Sequence, residues 1–285
     1  RPRHLVLAAC ALGAAAVAWR RAGPSCWTGP VGGRRGLLAA FGAGALISAA
    51  DNKEAQAFEN AVKQIKREIN NPKRPGRQPV DLGLSTRPPL TYEPALSACK
   101  ESTPNCFSTT YDIVGAGLND YKPWQFKGKS PEDALKDLID NINAYEPGQN
   151  GIDGGGFRVV AQDTQCIYTQ FESLKRGHID DVEFCIEPGL TGNSREGSVL
   201  VRSASRQGYF DFGVNAARLN YLAAGIEKKG GWSAGKITVK TNERYWVPNC
   251  IGGDGAKAPF NVRQKFPEEC KDVPIQSESS LQGRL

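Results

Sequence analysis

The pattern of apolar and polar positions divides the chain after residue 57. Phe58, Val62, Ile65 and Ile69 recur at spacings of four, three and four, with Lys63, Lys66, Arg67 and Glu68 between them, which predicts an amphipathic helix. From Pro72 to Pro94 six prolines break any period, so an extended arm is expected, with Leu82, Leu84, Leu90 and Tyr92 as apolar handles. Such an arm can serve as a flexible spacer, and its handles also suit it to lie on another surface. Ser130-Pro131-Glu132-Asp133 then supplies an N-cap, a first-turn proline and acidic residues for the helix dipole, ahead of Leu135, Leu138, Ile139 and Ile142 on one face. Beyond Gly154-Gly155-Gly156, strands are predicted over Phe157 to Asp163, Gln165 to Ser173, Asp180 to Glu187 and Ser198 to Ala204. Val214 to Lys229 reads as a second helix with Leu219, Leu222 and Ile226 inward and Gly230-Gly231 as its stop. A further strand is expected over Lys236 to Thr241, before an irregular Gly/Pro-rich tail.

Helix, consecutive antiparallel strands and helix predict an α+β fold. Its form is a two-layer antiparallel sheet with helices packed on one face, preceded by an amphipathic helix and a proline-rich arm. The organisation that follows is a composite targeting presequence over 1–57, helix and arm over 58–98, the α+β domain over 99–245 and an irregular C-terminal tail over 246–285.

Strand parity fixes a register. Val182, Phe184 and Ile186 share one face of their strand, and Asp181, Glu183 and Cys185 the other. A hairpin centred between Gly192 and Asn193 sets Glu183 opposite Arg202. A turn centred between Lys175 and Arg176 sets Cys166 opposite Cys185 and keeps Ile167, Thr169 and Phe171 on the side of Val182. One register thus satisfies apolar pattern, charge pairing and sulfur pairing together.

Composition is ordinary for a globular chain, with 40% hydrophobic and 23% charged residues. The net charge of +6 changes the picture less than it promises: residues 1–57 hold seven Lys/Arg against two Asp/Glu, so the remainder is nearly neutral. No nucleic-acid partner is expected. Within 1–57, an apolar run from His4 to Trp19 closes on Arg20-Arg21. A second begins after Arg34-Arg35 and ends in small residues, either Ser48-Ala49-Ala50 or Ala55-Gln56-Ala57. Twin arginine, apolar core and small-residue exit resemble a twin-arginine export signal, and two such modules resemble the composite presequence of a lumenal protein in a plastid of secondary origin. A single signal anchor is the alternative. The mature protein is expected to start near Asp51 or Phe58, and a start upstream of Arg1 is expected for the precursor.

Beyond the presequence lie six cysteines, an even count that suits a disulfide framework in an oxidising compartment. Six allow 15 connectivities. The local pairs Cys99 with Cys106, Cys166 with Cys185 and Cys250 with Cys270 are expected, since short loops cost least to close. Zinc is disfavoured by the lack of any Cys-x-x-Cys and by a single histidine, His178, after residue 57. His178 sits in a polar turn, so triad chemistry is not expected, and neither catalytic residues, metal nor cofactor are predicted. Ser97-Ala98-Cys99-Lys100 matches Ser-x-x-Lys by chance, and Gly151 to Gly156 reads as loop.

Asp180-Asp181-Val182-Glu183-Phe184, the run from Arg202 to Asn215 and then Arg218 resemble the signature of domain-of-unknown-function family 1499. Asn105-Cys106 with Ser108-Thr109 is similar to that family's short cysteine motif. The resemblance spans roughly Cys99 to Lys229 and implies a domain without implying an activity. The family occurs in bacteria and photosynthetic eukaryotes, and the two-module presequence with the even cysteine count makes the chloroplast thylakoid lumen the expected setting. The expected role there is a non-catalytic accessory subunit or assembly factor of a photosynthetic membrane complex, a photosystem with its antenna proteins. The protein would be peripheral to the membrane after processing, docking through Phe58, Val62, Ile65, Lys66, Arg67, Ile69, Leu82, Leu84 and Tyr92. Asp181, Glu183, Arg202, Arg206, Asp211 and Asn215 form a polar constellation with two readings: a structural ion-pair network, or a site on the Arg202/Arg206 face for an anionic small molecule, which would make the protein a lumenal small-molecule binder or an enzyme of unrecognised type.

Overall fold

The computed structural model describes residues 58–63, 72–88, 91–100, 103–110, 121–251 and 270. The presequence, Ile65, Lys66, Arg67 and Ile69 lie outside the described residues. Strands β1 (Ser85–Arg87) and β2 (Thr91–Ala95) form a small hairpin within the arm. Seven strands make the main sheet: β3 (Cys106–Ser108), β4 (Trp124–Lys127), β5 (Gly156–Gln162), β6 (Cys166–Glu172), β7 (Ile179–Ile186), β8 (Glu196–Ser205) and β9 (Trp232–Ser233). They pair antiparallel in the order β5-β6-β7-β8-β4-β9, with β3 beside β4 along the same edge of β8. Helices α1 (Pro131–Asn143), α2 (Val214–Glu227) and α3 (Glu243–Ile251) complete the α+β domain.

Capping chemistry starts α1. The Ser130 hydroxyl accepts from the Asp133 amide at 3.1 Å, the Asp133 carboxylate answers, and Pro131 stands in the first turn. Leu135, Leu138 and Ile142 are buried, as are Leu219, Leu222 and Ile226 of α2. The two helices meet closely: the Asn141 amide donates to the Leu222 carbonyl at 2.9 Å, and a side chain at Gly225 would collide with Asn141. Both join one core with Trp124, Phe126, Ile167, Val182, Phe184, Ile186, Val199 and Val201 from one side of the sheet. The register is the one parity requires, with Cys166 opposite Cys185, Thr169 opposite Val182 and Glu183 opposite Arg202.

Three expectations differ. The sheet is extended by Trp232–Ser233 against β4, where the Trp232 ring packs tilted against Phe126, whereas 236–241 is irregular and turning. The tail begins with a helix: α3 crosses the boundary drawn at 245–246 and buries Tyr245, Trp246 and Cys250. Tyr245 lies against Phe107 with ring centroids 4.4 Å apart, a contact that overrides a sequence with Pro248 inside it. Lastly, the first residues of the predicted N-terminal helix, 58–62, are turning and non-helical, and 64–71 lie outside the described residues. The Phe58 and Val62 amides donate to the Gly155 and Gly154 carbonyls at 3.1 and 3.0 Å, and a side chain at Gly156 (φ 90°) would collide with Asn60. The glycine run thus receives the segment that precedes the arm.

Candidate functional site

The arm crosses the sheet face opposite the helices. The Gly83 amide donates to Glu183 Oε1 at 2.6 Å, Lys73 pairs with Glu172 at 2.7 Å, and Arg206 Nη1 donates to the Gly76 carbonyl at 3.5 Å. Leu84 and Leu96 pack with Leu200 on Cys166 and Cys185. This is why every residue of β6 and β7 is buried although the helices cover only one side. A proline-rich segment cannot form a core of its own; here the chain's own sheet repays its ordering.

Beneath the arm the predicted charges assemble in two pairs. Arg206 holds Asp181 through two donors, each at 2.8 Å, and the Tyr168 hydroxyl donates to the same carboxylate at 2.5 Å. Arg202 Nη1 reaches Glu183 at 3.2 Å, while Arg202 Nε is buried without a partner. Burial pushes the Glu183 carboxyl up, against the Arg202 charge and the Gly83 amide.

Asp211 and Asn215 are not part of that cluster. They lie on the helix side, where the organising residue is Arg218, fully buried in α2. Its guanidinium forks onto Asp153 at 2.5 and 2.8 Å, reaches Asp180 at 2.7 Å and Asn215 Oδ1 at 2.7 Å, and stacks over Phe171 at 4.7 Å. Burial opposes its charge, but Asp153 and then Asp180 outweigh that and hold it well above the usual range. Asp211 accepts from the Gly213 and Asn215 amides at 3.1 and 2.9 Å and from the Tyr245 hydroxyl at 2.7 Å. Burial pushes its carboxyl up to about 6, against the Tyr245 and Asn215 hydrogen bonds.

So the six-residue constellation divides between the two sides of the sheet; it is joined by Asp180 and Arg218, which the sequence offered only as part of the family signature, and by Asp153 and Tyr245, which sequence reasoning left out. The signal for Arg218 was a cation one position before Leu219 on an otherwise apolar helix face. For Asp153 it was a lone carboxylate inside a glycine run that reads as loop.

The disulfides are Cys99–Cys106, Cys166–Cys185 and Cys250–Cys270, as local pairing expects. His178 is half-buried in its turn, its pKa lowered by burial and then by Arg176, and its amide donates to Ser173 Oγ. Ser97 of the Ser-x-x-Lys string donates to the Asp81 carboxylate instead. Among the described residues no group of His, Cys, Asp and Glu has the arrangement of a metal site, and no helix is long and apolar enough to cross a membrane.

Residues 95–226 match the model of the family described as Protein of unknown function (DUF1499). The chain carries a DUF1499 domain. No curated protein and no solved structure matches the chain. The DUF1499 match contains both charge networks, yet Gly76, Gly83 and Leu84 of the arm and Tyr245 of α3 lie outside it. Segments flanking the DUF1499 domain therefore close its two polar clusters.

Proposed function

We propose that this protein is a non-catalytic accessory subunit or assembly factor of a photosynthetic membrane complex, a photosystem with its antenna, working in the thylakoid lumen of a chloroplast. The observation that carries the non-catalytic reading is the consumption of the polar face. Asp181, Glu183 and Arg206 are occupied by one another, by Tyr168 and by the chain's own arm, so the surface offered outward is a binding surface. Three disulfides support an oxidising compartment. The paired apolar modules with twin arginines before residue 58 support delivery to a lumen. A protein so placed meets the lumenal faces of membrane complexes, and it is peripheral to them after processing. Native gel electrophoresis of mildly solubilised thylakoids tests this. Co-migration with a chlorophyll-containing complex is the expected result; a species found only as a free monomer of about 25 kDa overturns it.

The unpartnered Arg202 Nε favours a second reading, in which a small anion sits on the Arg202/Arg206 face when the arm lifts. Stabilisation by inorganic phosphate or sulfate that Arg202→Leu abolishes would put that reading first.

A further inference from the structure

Tyr209, Phe210 and Phe212 stand in a short loop between Gly208 (φ 89°) and Gly213 (φ 82°). Their rings touch in series, Tyr209 on Phe210 at 4.6 Å and Phe210 on Phe212 at 6.1 Å. Tyr209 is 54% exposed and Phe212 40%. Phe212 also holds a left-handed backbone conformation, φ 57°, that a bulky side chain rarely adopts. Its amide is fixed by Asn249 Oδ1 at 2.8 Å, and the flanking turn by Asp211. A large ring kept outward on a strained backbone that the buried network over-determines marks a functional surface.

A second observation adjoins it. Arg74 bridges two segments: its amide donates to the Arg176 carbonyl at 2.8 Å, and its carbonyl accepts from Gln207 Nε2 at 3.2 Å. Residue 74 is thereby set beside 176 and 207, and Gly76 beside Arg206, so the segment 74–77 and residues 175–176 adjoin the start of the loop that carries Tyr209, Phe210 and Phe212. Arg74, Arg77, Lys175 and Arg176 are all exposed and make no ion pair among the described residues. The nearby carboxylates are already taken, Glu172 by Lys73, Asp180 by Arg218 and Asp181 by Arg206.

We propose that the Tyr209–Phe212 ridge and the cations Arg74, Arg77, Lys175 and Arg176 form the surface by which the protein rests on a bilayer carrying anionic headgroups. The inference deepens the membrane-peripheral part of the function proposed above and rests on it. The amphipathic Tyr209 ring suits the headgroup level, the Phe210 and Phe212 rings suit the apolar boundary just beneath it, and unpaired cations beside them match phosphate charge. Each such cation raises partitioning onto an anionic surface about fivefold, so four suffice where a ridge of three rings alone is too small for the roughly 1,000 Å² that a specific protein interface needs.

Hydrogen exchange of the full chain tests this on phosphatidylcholine vesicles with and without phosphatidylglycerol. A local readout separates the ridge from whatever residues 1–57 do. Slowed exchange is expected in 73–78, 174–178 and 206–213 on the anionic vesicles only, and it should fade as salt rises. Replacing the four cations by Gln should lower that protection by about fivefold in vesicle concentration per charge removed, without loss of fold. Phe212→Asn, which suits the left-handed backbone, should weaken it too. Unchanged exchange on anionic vesicles overturns the proposal, as does slowing that appears only with a solubilised membrane complex. That last result leaves the accessory-subunit reading standing. Protection on vesicles without co-migration with any complex supports the lipid surface and removes the subunit reading instead.

Discussion

The two sides of β7 carry the same chemistry and enclose it differently. On the helix side Asp180 meets Arg218, which belongs to α2 and is locked to Asp153 and Asn215. On the other side Asp181 and Glu183 meet Arg206 and Arg202 beneath an arm that carries Leu84 and Leu96 as its packed apolar groups there. A cover of helices resists opening because it is part of the main core. A cover of extended chain with few buried apolar groups can open at lower free energy than the whole domain. Buried ion pairs thus belong to the global fold on one side and to a local, separable event on the other.

The sharpest test removes the centre of the helix side. Arg218→Leu leaves Asp153 and Asp180 buried without their cation and should cost about 3–5 kcal/mol, read as a large fall in the urea midpoint of the oxidised protein. A loss under about 1 kcal/mol would place this network with ordinary surface pairs and erase the contrast.

Protonation probes the same side more gently. Asp211 is raised to about 6 from an ordinary value of 3.8. Between those values the folded chain binds a proton that the unfolded chain does not, so stability rises as pH falls through 6 and is lost as pH rises through it. About 1.4 kcal/mol per pKa unit sets a ceiling of about 3 kcal/mol for the Asp211 contribution between pH 7 and pH 4. Glu183, raised by burial, acts in the same direction, and His178, lowered by burial, acts against both. Melting temperature followed over that range should climb toward acid in the native protein, and Asp211→Asn should flatten much of the climb.

The arm side should yield less and yield locally. Arg202→Leu strands the Glu183 carboxylate and should cost about 2 kcal/mol, with part recovered when Glu183→Gln is added. Thermal unfolding of the four proteins closes the cycle, and hydrogen exchange in residues 76–98 should quicken before the rest. Exchange that quickens equally in α2 would mean that both covers open together.

What the sequence disclosed follows the same division. Period-two alternation, turn residues and paired charges are local signals, so the register of β6, β7 and β8 and the Cys166–Cys185 bridge could be read directly. Parity also separates Asp180 from Asp181, but it does not say what lies over either face. Arg218 stands in the sequence only as a member of the family signature; its burial depends on Asp153, 65 residues earlier, facing it. The arm could be recognised as a segment needing a surface. That the surface was the chain's own depended on Gly83 meeting Glu183 across 100 residues. Strand β3, three residues long, and the Pro248-containing α3 form because long-range packing overrides weak local propensity.

The smallest expected effect lies where the helix-side network reaches the surface. Phe212 is held at φ 57° by Asn249 on its amide and by Asp211 behind it, so the rigid network sustains a backbone that the ring itself disfavours. Asn occupies this left-handed region far more readily than an aromatic residue does. Phe212→Asn should therefore raise stability by about 1 kcal/mol, offset in part by the lost contact with Phe210. Phe212→Ala loses the same contact without Asn's relief and should be neutral or destabilising. Paired thermal melts decide between backbone and ring: if the two variants fall together, ring packing governs this site. If Asn alone gains, the native chain keeps a stability cost at an exposed aromatic, and that cost is sustained by the one side of the sheet that cannot open.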